Sequence, residues 1–569
     1  MTWRILFIFA FAGALFAQNR DADFRQLADR FFDQVYYRYD PIQGTSDGFH
    51  QYDTQLPSYS RAEIQGEIAA LKKFEAEVEA FSPKGLSTDT AIDRELVLSR
   101  IRSKLLNLQS VRDWEKNPDI YSSNLTYGIF VIMSRNFAPP ADRLKSLIAR
   151  EKLIPRLLSS ARQNLSNPPQ IYTQVAIEQL PGIVSFFQKD VPSAFRAVND
   201  RQLMAEFHQT NQASIAALTS YQTYLQKEVL PRSHGDFRLG ADTFSKKLQY
   251  DEMVDTPLDR LLAIGFEDLR RNQAAVRQVA KQIDPKRTPS QIVAGLEKDF
   301  PPPNQLLQRF RDVLGGLRAY INEHHIVSIP PAAPPPIVQE TPPFARALTF
   351  ASMDTPGAYE KVAKEAFFNV TLPDPGWPKT RTDSYMEMFN RGTIVSTAVH
   401  EVYPGHYVQF LWMPKVPSKV RKLLWVSSNV EGWAHYCEQM MLDEGYGNHD
   451  PKLRIGQIED ALLRDARYIV GIEMHTGKMT FDQGVDFFVK EGYQSHETAL
   501  KETKRGTSDP TYLYYTLGKL EILKLREDYK KLKGSQYSLE EFHNAFLAQG
   551  GPPVKLVRRA LLGNDSPAL

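Results

Sequence analysis

Hydrophobic residues recur at helical spacing along much of this chain. Intervals of three and four residues place the apolar side chains of each stretch on one face of an α-helix. Ser60 and Glu63 have the spacing of a capping box and predict a helix start just ahead of the longest stripe. The stripes that predict buried helix faces are Phe24, Leu27, Phe31 and Val35; Ile64, Ile68, Leu71, Phe74, Val78 and Phe81; and Leu144, Leu147, Ile148 and Ile154.

Runs that alternate between apolar and polar residues, as half-buried strands do, are few. The better candidates are the short segments 349–351 and 368–371. The pattern therefore predicts a mainly α protein, large, helical and two-lobed, with few short strands.

A proline-rich stretch at residues 330–343 is the clearest boundary in the chain. Its seven prolines rule out regular helix, because proline lacks the backbone donor and clashes with the preceding turn. We expect an extended connector between an N-terminal helical region, 18–329, and a C-terminal helical region, 344–569. A proline-rich motif that binds a partner is the alternative.

The first residues have the pattern of an export signal. Arg4 precedes an apolar stretch from Ile5 to Phe16, and small residues lie near its end. Residues 1–17 are therefore predicted to be a signal peptide, and the protein to be periplasmic or extracellular. An uncleaved anchor is the alternative, although the apolar stretch is short for a membrane span and no later segment approaches about 20 apolar residues.

Composition agrees with a large exported enzyme. The 569 residues are 42% hydrophobic and 24% charged, enough for a sizeable core. The net charge of +2, without a long basic block, gives no reason to expect nucleic acid as a partner. Cys437 is the only cysteine, so the sequence forms no intrachain disulfide.

The segment from His400 to His406, HEVYPGH, carries the strongest candidate chemistry. Two imidazoles that bind zinc, with a glutamate beside the first to activate a water molecule, form the set that zincin hydrolases use. Six regular helical steps would aim the two rings about 120° apart. A break at Pro404-Gly405 is needed to turn His406 toward the same ion. A helix that simply ends at a Pro-Gly turn is the other interpretation.

A third metal ligand is expected on a later helix. Glu431 lies in an apolar neighbourhood, where an ionised carboxylate is costly unless it is paired or bound to a metal. His435, one helical turn further, is a rival ligand or a group that supports the ligands. Glu438 is a weaker rival, and a solvated helix charge is the remaining interpretation of Glu431.

These motifs carry a resemblance to a known family. His400 to Gln409 has the pattern H-E-x-x-P-G-H-x-x-Q, and Glu431 to Tyr436 has the pattern E-G-W-A-x-Y. Together they resemble a large, mainly bacterial family called domain of unknown function 885, itself similar to a helical branch of the Glu-zincin metallopeptidases. Residues 235–240, 477–488, 515–518 and 542–553 also match, and the resemblance extends over most of the mature chain.

The resemblance implies a zincin-like zinc hydrolase, but it implies no substrate. It assigns His400, His406 and Glu431 as zinc ligands and Glu401 as general base. Similar proteins commonly have an apolar residue where this chain has His435, so the role of that histidine stays open.

Hydrolysis of a peptide builds negative charge on the carbonyl oxygen, which a phenol, a guanidinium or an imidazole can stabilise. By resemblance, Tyr515 is the best-matched phenol. Arg505 could hold a substrate carboxylate with two hydrogen bonds, and His475 is a third candidate.

The sequence therefore predicts an exported zinc-dependent metallopeptidase that acts on a peptide or a small amide or ester. The alternatives are a zinc-dependent esterase or amidase on a non-peptide substrate, and a non-catalytic helical binding protein on a zincin scaffold. An intact Glu401 argues against the binding protein, because a purely structural zinc site needs no general base.

Overall fold

The computed structural model describes residues 20–331, 333–342, 346 and 349–569. The predicted signal peptide, residues 1–17, lies outside the described residues. Among the residues that are described, no helix is both long and apolar enough to cross a membrane.

The chain divides into two compact units. The first comprises residues up to Asp236 together with Gly357–Ala363 and Pro417–Leu424. The second comprises Phe237–Pro356, Lys364–Val416 and Trp425–Leu569. The boundary between the units at Asp236 and Phe237 does not coincide with the proline-rich stretch 330–343. That stretch lies inside the second unit and contains a strand.

The regular secondary structure described in the first unit is helical. Its helices are α1 (20–31), α2 (Tyr37–Tyr39), α3 (Pro41–Asp47), α4 (Arg61–Ala80), α5 (Thr88–Leu106), α6 (Asp113–Lys116), α7 (Asp119–Met133), α8 (Pro140–Glu151), α9 (Ile154–Asn164), α10 (Gln170–Ser185), α11 (Val191–Ala194), α12 (Arg201–Tyr224) and, from later in the chain, α20 (Lys419–Leu423).

The apolar stripes of this unit are buried helix faces, as predicted. Ser60 caps α4 by accepting a hydrogen bond from the Glu63 backbone amide at 3.3 Å. Phe81 lies just past the end of that helix, and the third predicted stripe is divided between α8 and α9.

Helix α8 carries two charged residues into the interior of the first unit. Arg150 and Glu151 are both 0% exposed. Arg150 donates to the Thr45 hydroxyl at 2.6 Å. Glu151 accepts hydrogen bonds from the Thr210 hydroxyl at 2.5 Å and the Asn211 amide at 3.0 Å. Neutral polar groups therefore hold the Glu151 carboxyl.

The second unit adds a small sheet to a helical framework. Its elements are α13 (Ala241–Asp251), α14 (Leu258–Ile283), α15 (Pro289–Leu296), α16 (Leu306–Glu323), β1 (Ile337–Glu340), β2 (Ala351–Asp354), β3 (Phe367–Val370), α17 (Lys379–Met386), α18 (Arg391–Glu401), α19 (His406–Trp412), α21 (Ser427–Asp443), α22 (Pro451–His475), α23 (Phe481–Lys490), α24 (His496–Ser508), α25 (Tyr514–Lys533), α26 (Leu539–Leu547) and α27 (Val554–Leu562).

The sheet has the strand order β1-β3-β2, with β1 parallel and β2 antiparallel to β3. Both predicted strand segments therefore lie at or beside real strands, and the mainly helical prediction with few short strands is confirmed.

Helices α21 and α25 approach each other closely at two glycines. A Cβ atom on Gly518 would lie 1.8 Å from the Ser428 carbonyl oxygen, and one on Gly432 would lie 2.5 Å from the Gly518 Cα. Only glycine allows this contact. The contact fixes α21, with Glu431, against α25, with Tyr515.

Candidate metal centre

The first two candidate ligands lie on either side of a break between α18 and α19. Helix α18 ends at Glu401, and α19 begins at His406 after the predicted break at Pro404-Gly405. A Cβ atom on Gly405 would lie 1.8 Å from the His400 carbonyl oxygen, so the chain needs glycine there. The break brings the rings of His400 and His406 to a centroid separation of 4.7 Å.

Glu431, on α21, completes the cluster. Its Oε2 atom lies 3.3 Å from His400 Nε2 and 3.3 Å from His406 Nε2. One ligand atom from each of the three residues lies within 4.8 Å of the other two. The structure thus brings together the three residues that the sequence predicts as metal ligands.

His435 and Glu438 support this cluster from the same face of α21. Glu438 is 1% exposed and accepts from His400 Nδ1 at 2.6 Å through Oε1. Its other oxygen lies 3.0 Å from His435 Nδ1. Arg464, on α22, forms an ion pair with Glu438 at 2.9 Å. His435 is therefore a neighbour of the Glu438 carboxylate and lies outside the cluster of the three candidate ligands.

The charges of these groups depend on one another. Burial opposes protonation of His400, but its hydrogen bonds with Glu431 and Glu438 raise its pKa to about 9. Burial also acts to raise the pKa of Glu431, yet the two histidines hold it well below its usual range. Burial lowers the pKa of His435 to about 3. The protein thus keeps an ionised carboxylate between His400 and His406.

The donor set fits a tetrahedral ion. Zinc prefers imidazole nitrogen and carboxylate oxygen at about 2.0–2.2 Å, and donors around a tetrahedral ion at that distance lie about 3.3 Å apart. The two Nε2–Oε2 separations of 3.3 Å have this value. Because His400 Nδ1 bonds Glu438, its Nε2 faces the cluster, which is how carboxylates orient metal-binding histidines.

Glu401 follows the first ligand directly and is only partly buried. Burial raises its pKa, while His400 and His406 act to lower it. The Met353 backbone amide on β2 also lowers it, which places the carboxylate beside the edge of the sheet.

Tyr515 and Arg505 lie next to the candidate ligands. The Tyr515 ring stacks on the His400 ring at a centroid separation of 6.3 Å. Arg505 Nη2 donates to the Tyr515 hydroxyl at 3.4 Å and to the Asp509 carboxylate at 3.0 Å. Burial and the negative charge of Glu431 raise the pKa of Tyr515, so its hydroxyl keeps its proton at neutral pH.

His475, the third candidate for stabilising charge, lies elsewhere. It is 0% exposed and its Nε2 donates to the Gly506 carbonyl oxygen at 2.7 Å. Its ring packs beside Phe237 and Phe244. His475 ends α22, eleven residues beyond Arg464, about 16 Å further along the helix. The structure does not bring His475 to the metal ligands.

A family model described as "Bacterial protein of unknown function (DUF885)" matches residues 41–561. The chain belongs to the DUF885 family. The curated proteins contain no match.

Two solved structures share the fold over nearly the whole chain, and both are described as "putative" lipoproteins. One, of unknown function, comes from Shewanella oneidensis; it is 28% identical, covers 95% of this chain and 99% of its own, and has a TM-score of 0.79. The other comes from Colwellia psychrerythraea; it is 16% identical, covers 96% of this chain and 98% of its own, and has a TM-score of 0.80. The description as lipoproteins belongs to those proteins.

Sequence reasoning about this DUF885 chain found the three residues of the cluster but not all of the residues that support them. It weighed Glu438 only as a rival ligand, and it did not single out Arg464 or Arg467. Glu438 had a local signal, since it lies seven residues after Glu431 on one helix face. The two arginines had none, because their contacts join α22 to two other helices, α21 and α24, and depend on how those helices pack.

Proposed function

We propose that this DUF885 protein is an exported zinc-dependent hydrolase, specifically a metallopeptidase. The observation that carries the proposal is the convergence of His400, His406 and Glu431, whose ligand atoms lie within 4.8 Å of one another; the two separations between the imidazole nitrogens and Glu431 Oε2, 3.3 Å each, match those around a tetrahedral zinc ion. A bound zinc ion would polarise the scissile carbonyl and lower the pKa of a water molecule.

Glu401 is assigned as the general base. It adjoins His400 at the end of α18, and its raised pKa suits a group that takes up and releases a proton. Glu401 accepts a proton as the water oxygen bonds to the carbonyl carbon. It then delivers that proton to the leaving amine as the carbon–nitrogen bond breaks.

Tyr515 is assigned to stabilise the developing charge on the carbonyl oxygen. Its hydroxyl accepts from Arg505, which leaves its own proton to donate to a substrate oxygen. Both side chains belong to the second unit, as do the metal ligands.

Export is supported by the apolar N-terminal stretch and by the description of both similar structures as lipoproteins. The connector of the sequence prediction and the cleavage of the signal stay predictions.

The test is metal analysis of the purified mature chain, followed by a cleavage screen with peptide, ester and amide libraries. We expect about one zinc ion per chain and cleavage of peptides that stops when a chelator removes the metal. Hydrolysis of esters without peptides would assign the site to the alternative hydrolase. A zinc-loaded protein that cleaves none of the three classes of substrate would favour the other alternative, a non-catalytic binding protein.

A further inference from the structure

A group of cationic side chains lies beside the candidate metal ligands, on α22 and α24. We call Arg467, Lys501 and Arg505 the cationic corner. The guanidinium carbon of Arg467 lies 5.0 Å from the Tyr515 ring centroid, and that of Arg505 lies 5.8 Å from it. The corner therefore surrounds the same phenol that stacks on His400.

The two arginines of the corner are paired to different degrees. Arg467 is buried and forms two hydrogen bonds with Glu502, at 2.7 and 2.9 Å, so its fork is occupied. The side chain of Arg505 is 37% exposed, and it uses only Nε and Nη2 in its contacts with Asp509 and the tyrosines. Nη1 of Arg505 donates to no residue that the structure describes.

Lys501 lies one helical turn before Arg505 on α24 and is exposed to solvent. Its Nζ atom lies 4.1 Å from the centroid of the Phe350 ring and has no hydrogen-bond or ion-pair partner among the described residues. Partial desolvation and the positive charges of Arg467 and Arg505 lower its pKa, against the opposing effect of Glu502. The carboxylates around the corner thus leave an excess of positive charge there.

The corner lies within a short peptide's reach of the metal ligands. Tyr515 separates the two, with centroid distances of 6.3 Å to the His400 ring and 5.8 Å to the Arg505 guanidinium carbon. Arg505 therefore lies at most about 12 Å from that ring. An extended chain covers about 3.3–3.6 Å per residue, so three residues cover about 10–11 Å, close to this upper limit, and fewer residues suffice for a shorter separation.

We propose that the cationic corner binds the free carboxylate at the C-terminal end of the substrate, which makes the protein a carboxy-exopeptidase that releases one to three residues. A guanidinium with donors to spare and an unpaired ammonium suit a carboxylate, which accepts several charge-assisted hydrogen bonds. This inference rests on the proposed hydrolase function and specifies its substrate class.

The reaction is a hydrolysis and needs no other reactant. A water molecule adds to the carbonyl carbon of a peptide bond close to the C-terminal end. The carbon–nitrogen bond breaks, and Glu401 passes the proton to the released amine. The products are a shortened peptide with a new carboxylate and a free amino acid or short peptide.

The test compares peptides of one sequence with a free C-terminal carboxylate or a C-terminal amide. The zinc-loaded mature chain should cleave the free acid with a kcat/KM on the order of 10²-fold higher, because the amide lacks the charge that the corner binds. Mass spectrometry should place the cut one to three residues from the C-terminal end. Equal rates for acid and amide, or cuts spread along the chain, would overturn the inference.

Arg505→Gln and Lys501→Gln sharpen the test. Each should move the acid-to-amide ratio toward one, with the larger change, about tenfold or more, for Arg505→Gln. Lys490→Gln removes a matched charge from α23, where the side chain is 68% exposed, and should leave the ratio unchanged. Lys501 has no hydrogen bond or ion pair to lose with any residue that the structure describes, so Lys501→Gln should fold even if Arg505→Gln does not.

Binding separates this inference from the hydrolase proposal. Calorimetry with zinc-loaded Glu401→Gln should give tighter binding of the acid peptide than of the amide, and Lys501→Gln in that background should reduce the difference. This preference would support the corner even if no peptide is cleaved. Peptide cleavage without tighter binding of the acid peptide would support the hydrolase proposal and overturn the proposal that the corner binds the carboxylate. Absence of any difference in binding counts against the corner as well.

Discussion

Two buried glutamates, one in a helix of each unit, differ in charge. Glu151 in the first unit is 0% exposed, and Glu438 in the second is 1% exposed. Burial raises the pKa of Glu151 to about 7, and its hydrogen bonds from neutral Thr210 and Asn211 only partly offset this. Burial has the same effect on Glu438, but Arg464, His435 and His400 hold its pKa well below its usual range.

The difference shows that partners, more than burial, decide the state of a buried carboxylate. Neutral donors leave Glu151 as a structural group that readily takes up a proton. Cationic partners keep Glu438 ionised, and one of them is a candidate metal ligand. In the second unit, the ionised Glu438 thus orients the His400 imidazole. In the first unit, Glu151 joins α8 to α12.

The largest expected effect concerns the metal ligands. His400→Ala, His406→Ala and Glu431→Ala should each lose the zinc ion, because each removes one of three converging donors. Glu151→Gln, a buried substitution in the other unit, is the matched control and should keep about one zinc per chain. Full zinc occupancy in Glu431→Ala would refute that ligand, and retention only while His435 is intact would point to His435.

Glu401→Gln should keep the metal and the fold but lower turnover about 10²- to 10⁴-fold, because an amide cannot accept the proton of the attacking water. Steady-state rates on a cleaved peptide, together with metal content and a melting curve, measure this. A near wild-type rate in Glu401→Gln would remove it as the base. Glu151→Gln should retain the wild-type rate.

Glu438→Gln should separate the two buried glutamates most directly. It leaves Arg464 without its closest charged partner and should cost about 3 kcal/mol or more of unfolding free energy. Zinc affinity should fall about 10- to 100-fold, because the amide orients His400 less well. Measured below pH 4.5, where the Glu151 carboxyl is protonated, Glu151→Gln should change stability by only about 1 kcal/mol, since its partners are neutral. Equal destabilisation by the two substitutions would contradict the comparison.

The smallest effect is a pH dependence of stability from Glu151. Its folded pKa of about 7 lies above the ordinary value of 4.5, so the folded state binds the proton more tightly than the unfolded state. The contribution of Glu151 to the unfolding free energy is greatest below pH 4.5, falls as the pH rises toward 7, and is constant above that pH. The total change in this contribution is at most about 3 kcal/mol. Denaturant titrations of wild type and Glu151→Gln across this range measure it. An identical pH dependence in both proteins would rule it out.

The angular argument about HEVYPGH correctly predicted the helix break in the candidate metal centre. Two histidines six residues apart cannot share an ion on a regular helix, so a break at Pro404-Gly405 was required, and the structure has it. The buried helix faces could also be predicted from local sequence, because periodicity alone indicates which face of α4 is buried.

The division of the chain into two compact units could not be read from local sequence patterns. Proline marks where helices stop, but it does not say which helices pack together, and the stretch 330–343 contains β1 within the second unit. The segments Gly357–Ala363 and Pro417–Leu424 belong to the first unit although they lie far along the chain. Compact units are set by contacts between distant segments, which a linear reading does not contain.

The sequence by itself determined the helical class, the break between His400 and His406 and the choice of Glu431, because periodicity, proline chemistry and ligand spacing act over a few residues. Tertiary structure decided the rest. It paired Glu438 with His400 and Arg464, left His435 beside the ligands, moved His475 away, and gathered Arg467 and Arg505 around Tyr515. Such contacts depend on which helix faces meet, and the charge of a buried group depends on the partners that those faces supply.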